Sequence, residues 1–222
     1  MNIELARHNM IVQQIRPWEV LDQTVLDLLA VVKREDFVPE AYRAMAFVDM
    51  EIPLLANGKD SGEAMLAPKM EARLLQELDV KRNETALEIG TGSGYMAALL
   101  AHKAQQVVTV EILPELRLLA LDNLNRSGTR NVQVELGDGA RGWPAVGQVD
   151  VLVLSGSVPI VPDEVLQQLK IGGRLAAFVG DAPVMSAQII TRVSDGAWET
   201  MKLFETLVKP LRNALQPPRF KF

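Results

Sequence analysis

The sequence predicts a doubly wound, Rossmann-like α/β fold with helices ahead of it. Three observations carry that expectation: apolar strands and helices alternate between residues 85 and 179, a glycine-rich turn follows the first strand, and Asp195-Gly196 separates two runs patterned as antiparallel strands.

The elements follow in chain order. Residues 1 to about 50 read as helices, because Met10, Ile11, Ile15 and Trp18 recur at helical spacing and Val25, Leu26, Leu28, Leu29 and Val32 form a second stripe. Pro17 and Pro39 punctuate them, and Met10, Trp18, Met45 and Met50 read as packing residues. Residues 52 to 68, with glycines, polar residues and two prolines, read as a surface loop longer than most connections, a length that points to function. Helix returns from Pro68 to Asp79. Next come strand Thr85–Ile89, helix Tyr95–His102, strand Val107–Glu111, helix Pro114–Ser127 and strand Val132–Leu136. Strand Val149–Leu154, helix Pro162–Leu169 and strand Arg174–Val179 continue the alternation. Ser186–Ser194 and Trp198–Leu207 complete the sheet edge as an antiparallel hairpin. The tail from Lys209 to Phe222, with Pro217-Pro218 and four basic residues, reads as a solvated or packed terminus. The expectation is one domain over 1–222, with a helical cap and loop in 1–80, an α/β core in 81–208 and a tail in 209–222.

Composition narrows the functions. With 222 residues, 48% of them hydrophobic, the chain can bury one good core. A net charge of −5 gives no global drive toward nucleic acid. Without cysteine there are no disulfides, thiolate nucleophiles or zinc-cysteine sites, and His8 and His102 are too few for a multi-histidine centre, so no metal is expected. The N-terminus lacks an apolar signal core, and no stretch approaches the roughly 18 apolar residues that span a bilayer. A cytoplasmic protein with neither membrane nor nucleic-acid partners is expected.

The sharpest motif is Leu87-Glu88-Ile89-Gly90-Thr91-Gly92-Ser93-Gly94-Tyr95. Glycines let the backbone turn sharply after a strand and approach a ligand at a helix N-terminus. Tyr95 stands where a dinucleotide fingerprint has its last glycine, which disfavours pyrophosphate readout. Glu88, Gly90, Thr91, Gly92, Ser93, Gly94 and Tyr95 are therefore read as one side of a cofactor site. Glu111 ends the next strand, roughly 20 residues past the turn, where a ribose-binding carboxylate sits. Asp138 and Gly139 follow the third strand, placed for an adenine amino group. Asp138 alone also reads as an ordinary turn acid, but three strand-end signals in the expected order favour a cofactor site.

With these signals in hand, the chain resembles the protein-L-isoaspartate (D-aspartate) O-methyltransferases. The likeness runs through Asn9–Arg16, Arg34–Glu40, Ile52-Pro53-Leu54, Gly137–Pro144 and Leu169–Leu175. It implies a class I methyltransferase sheet, S-adenosyl-L-methionine as cofactor, and methyl esterification of isoaspartyl carboxylates in damaged proteins or peptides. In that family a loop reading Gln-Thr-Ile-Ser-x-Pro carries a serine that contacts the acceptor. The matching stretch here is Glu63-Ala64-Met65-Leu66-Ala67-Pro68, so Ala64 and Leu66 replace the threonine and the serine. Leu66, Ala67 and Pro68 are the expected acceptor loop. A relative with a different, small or more apolar acceptor, or a cofactor-binding protein without transfer activity, are the alternatives this change leaves open. No catalytic base is expected, since a carboxylate is already a competent nucleophile toward a sulfonium methyl group. Lys69 reads as an exposed helix residue, and Ser61 and Ser155 as turn serines bonded to their own backbone.

Overall fold

The computed structural model describes residues 2–217, so residues 218–222 of the tail lie outside the described residues. Helix α1 (Ile3–Asn9) continues as a wider π-helical stretch, Met10–Ile15, and a tight turn, Arg16–Trp18, before α2 (Gln23–Val31). Asn2 and Asp22 cap α1 and α2 by accepting the N–H groups of Leu5 and Thr24. Met10, Ile15, Val25 and Leu29 are fully buried, as the helical spacing requires. Trp18 and Met50 differ from their expected packing role, remaining 41% and 39% exposed. Pro17 and the left-handed Glu19 (φ 61°) break the helix there, and Trp18 lies across the surface, edge-on to Phe204 at 6.1 Å.

Residues 52–65 form a hairpin, which corrects the expected loop: β1 (Ile52–Ala56) pairs antiparallel with β2 (Lys59–Met65). Asn57 and Gly58 both have positive φ, 52° and 75°, the two-residue turn whose twist matches the flanking strands. On β2 the exposed positions Lys59, Asp60, Gly62 and Ala64 conceal the strand pattern that Ile52, Leu54 and Met65 carry by their burial.

Helix α3 (Pro68–Leu78) leads into β3 (Thr85–Ile89), α4 (Tyr95–Lys103), β4 (Gln106–Glu111), α5 (Pro114–Arg126) and β5 (Val132–Leu136). Then come β6 (Val149–Val158), the short α6 (Asp163–Gln167), β7 (Leu169–Asp181), β8 (Val184–Ser194) and β9 (Ala197–Glu205). Helix α6 stops short of the expected Leu169 because that residue already pairs with Val149. The sheet runs β5-β4-β3-β6-β7-β8-β9, parallel through β7 and antiparallel beyond it. Ser194 pairs with Ala197 around Asp195-Gly196, as the sequence predicts.

Strand parity builds a core on each face: Val151 and Val153 join one cluster, Leu152 and Leu154 the other. From β3 the chain passes to β4 on one side and later returns to β6 on the other. Such a reversal opens a crevice at the carboxyl ends of the strands, where doubly wound folds bind ligands. Among the described residues, no helix is long and apolar enough to cross a membrane.

Candidate active site

That crevice is a cleft open to solvent. It brings together Gly90 and Gly92 after β3, Glu111 at the end of β4, Asp138 and Gly139 after β5, and Leu66 after β2.

The glycine turn is shaped by its neighbours. Gly92 has φ 54°, and a Cβ there would come within 3.2 Å of Leu54 Cδ1, so the hairpin rests on the turn. Thr91 and Ser93 are buried and lie outside the cleft lining. Thr91 Oγ1 lies 2.7 Å from Thr109 Oγ1, and Ser93 Oγ accepts the Tyr95 N–H at 3.3 Å. Gly94 caps α4 in a left-handed conformation. Tyr95, grouped by sequence with the cofactor residues, is instead packed into the core. Its ring lies 5.4 Å from that of Phe37, with the Arg34 guanidinium also 5.4 Å from its centroid. Adjacency to the glycines in sequence does not fix which way a first-turn side chain points.

Glu111 accepts the Gly92 N–H on one oxygen, at 2.8 Å, and the Leu113 N–H on the other, at 3.0 Å. Burial raises its pKa, and these backbone donors oppose the rise. Asp138 Oδ1 accepts the Ala140 N–H at 2.9 Å, the bond of an ordinary turn acid. Its other oxygen, at the cleft, accepts from Asn213 Nδ2 at 2.8 Å.

Glu88 lies wholly buried outside the cleft lining, in register with Thr109 on β4. Its two oxygens accept from Thr109 Oγ1 and Ser155 Oγ, each at 2.7 Å. Burial pushes its pKa up to about 8, so the carboxyl holds its proton near neutrality. The protonated form has a donor of its own, and the Thr91–Thr109 pair can reverse to receive it. Ser155 thus bonds a buried acid rather than its own backbone, and it also lines the cleft.

The expected acceptor loop divides. Leu66 is buried at the cleft, its carbonyl accepting from Arg34 Nη2 at 2.8 Å, and Arg34 is paired with Glu71 at 2.7 Å. Ala67 lines a neighbouring groove beside Trp18, and Pro68 begins α3. Lys69, expected to be exposed, is held instead. Its ammonium lies 2.8 Å from Asp49 and 3.9 Å over the Trp18 ring. Trp18, left outside by the break in the helix, gives the lysine a face to cover.

Sequence reasoning missed the tail's part in the cleft. Ser157 N–H donates to the Lys209 carbonyl at 3.0 Å, Leu211 N–H donates to the Ser157 carbonyl at 2.9 Å, and Ser157 Oγ bonds the Val208 carbonyl. Leu211 lies so close to Gly156 that a Cβ there would meet its Cδ2 at 2.8 Å. Lys209 and Arg212 reach back to Glu63 on β2, at 2.9 and 2.8 Å. The tail is therefore pinned through Leu211 and Ala214, while Lys209, Pro210, Arg212 and Asn213 stay exposed. Val208 and Leu211, apolar residues among basic ones, were the available signal.

Comparison with known proteins agrees with this architecture. The family described as protein-L-isoaspartate(D-aspartate) O-methyltransferase matches residues 6–215. Protein-L-isoaspartate O-methyltransferase 2 of Marinobacter nauticus is 36% identical over 206 residues, 92% of each chain. Protein-L-isoaspartate O-methyltransferase 1 of Archaeoglobus fulgidus is 37% identical over 178 residues, 79% of this chain and 80% of the relative. A Plasmodium falciparum chain ascribed to the same family, solved with S-adenosyl-L-homocysteine, superposes with a TM-score of 0.79. That match covers 93% of this chain and 98% of the other, and at 18% identity it speaks for the fold. On the match across residues 6–215 and these curated relatives, the chain belongs to the protein-L-isoaspartate (D-aspartate) O-methyltransferase family.

Proposed function

We propose that the protein transfers a methyl group from S-adenosyl-L-methionine to the carboxylate of isoaspartyl residues, the first step of repairing isomerised aspartate in proteins and peptides. One observation carries the reading: the strand ends bearing Gly90, Gly92, Glu111 and Asp138 open onto the same cleft as the hairpin bearing Leu66. The donor set fits the cofactor, with Glu111 for the ribose hydroxyls and Asp138 for the adenine amino group. Thr91, Ser93 and Gly94 shape the turn, and Glu88 supports it through Ser155. When bound, the cofactor supplies a methyl group on a positively charged sulfur. The chain's own residues align the acceptor and exclude water, and no side chain need remove a proton from a carboxylate. Residues 1–80 would then form the acceptor side, 81–208 the cofactor core and 209–222 a strap. The absence of cysteine supports a cytoplasmic setting.

Leu66 supports a second reading. A hydrogen bond to an ionised group contributes about 1.5–3 kcal/mol, so losing the family's serine costs roughly tenfold to a hundredfold in rate. With Ala64 and Leu66 both at the cleft, a more apolar acceptor is the alternative.

Transfer of labelled methyl groups to an isoaspartyl peptide tests the main reading, and a protein that binds the cofactor but transfers nothing to it would favour the second. Calorimetry tests the cofactor residues: Glu111→Ala should weaken S-adenosylhomocysteine binding about tenfold to a hundredfold. Unchanged affinity would remove β4 from the cofactor site.

A further inference from the structure

We propose that Lys209 is a specificity-determining residue of this cleft: its ammonium, held at the mouth by Glu63, meets the acceptor carboxylate in place of the hydroxyl that Leu66 lacks. This rests on the isoaspartyl reading above.

Among the described residues, the cleft's ionisable lining consists of Glu51, Glu63, Glu111 and Asp138 against Lys209 and Arg212. An anionic acceptor entering among four carboxylates is repelled unless a cation meets it. Lys69 stands nearer to Leu66 in sequence but is engaged by Asp49 and Trp18 and lies outside this lining. Lys209 is differently placed. Its backbone is fixed by the bonds of Lys209 and Leu211 to Ser157 on β6, so the side chain starts from a rigid point. Of its three N–H donors, one goes to Glu63 Oε2 at 2.9 Å and one to the Gly62 carbonyl. Among the described residues the third has no partner and is left for a ligand, and the side chain is 53% exposed. Arg212 donates to the other oxygen of Glu63 through Nε at 2.9 Å and Nη2 at 2.8 Å. Glu63 is thereby shared between two cations, which leaves one positive charge in excess within that three-residue cluster.

The test uses the full chain loaded with S-adenosylhomocysteine for binding and with S-adenosylmethionine for turnover. Lys209→Met should raise both the Kd and the KM of an isoaspartyl peptide by about tenfold or more. Cofactor affinity should be unchanged, and kcat should move less than KM. Lys209→Arg should keep most of the peptide affinity, and adding Leu66→Ser to Lys209→Met should restore part of the loss. Lys81→Met, which removes an equal charge far from the cleft, should change nothing. If the wild-type protein methylates the peptide and Lys209→Met does so equally well, the inference is overturned while the function stands. Loss of cofactor affinity in Lys209→Met would overturn it too, making the residue part of the cofactor wall. If the wild-type protein neither binds nor methylates the isoaspartyl peptide, the proposed function fails and this inference falls with it.

Discussion

Leu66 places an apolar side chain where the acceptor is expected, and the loop around it is otherwise well anchored: Arg34 holds the Leu66 carbonyl and is itself paired to buried Glu71. Leu66 is itself part of the buried core, so Leu66→Ser also costs packing, and its effect on chemistry is read per molecule of folded protein. The double change Ala64→Thr and Leu66→Ser should raise kcat/KM for an isoaspartyl peptide about tenfold to a hundredfold. Steady-state kinetics showing no gain would detach this loop from the acceptor. Glu111 and Asp138 were legible in the sequence because a strand end fixes where its last side chain lies relative to the crevice. Lys209 and Arg212 were not, since the contact of Arg212 with Glu63 joins residues 149 apart and no local pattern encodes it. Glu88 and Tyr95 were read as contacts from adjacency to the glycines, and only their burial separates them from the cleft surface.

Among the elements, the central strands were the most readable. Thr85–Ile89 forms as expected because a strand buried in a parallel sheet is written as a short apolar run, and the edge strand Val132–Leu136 because its apolar and polar residues alternate. The hairpin of β1 and β2 was harder, since one face is solvated and polar, although Asn57-Gly58 marks its turn. The tail depends on an absence: Gly156 carries no Cβ, which leaves space for Leu211. Gly156→Ala should push Leu211 away and break its backbone bond to Ser157, costing about 1–3 kcal/mol of local stability. Limited proteolysis should then cut between residues 207 and 213 several-fold faster than in the wild-type protein. An unchanged cleavage rate would mean that the tail is held without the Leu211 contact, by its ion pairs to Glu63 and its remaining hydrogen bonds.

At the scale of the whole molecule, the doubly wound sheet places its crevice by topology, and the buried acids beside it link stability to pH. Burial pushes Glu88 from 4.5 to about 8, and Glu71 to about 7 against the opposing pull of Arg34. An acid with a raised folded pKa binds its proton more tightly when folded. The stability it adds is complete below the unfolded value and is lost as pH rises through the folded one. For Glu88 that loss is on the order of 5 kcal/mol once pH exceeds the folded value. Thermal unfolding of the cofactor-free protein should therefore show a midpoint that falls between about pH 4.5 and pH 8 and levels off above it. Glu88→Gln should flatten the fall and leave the share due to Glu71, whereas parallel curves would mean that Glu88 is ionised throughout. The central claim is that one cleft serves both S-adenosyl-L-methionine and an isoaspartyl carboxylate. Its most direct test is the ratio of kcat/KM for an isoaspartyl peptide to that for its aspartyl twin, with the labelled product checked for base lability. A base-labile ester formed on the isoaspartyl peptide, with the aspartyl peptide unmodified, is the predicted result; equal labelling of both peptides, or of neither by protein that binds the cofactor, would contradict it.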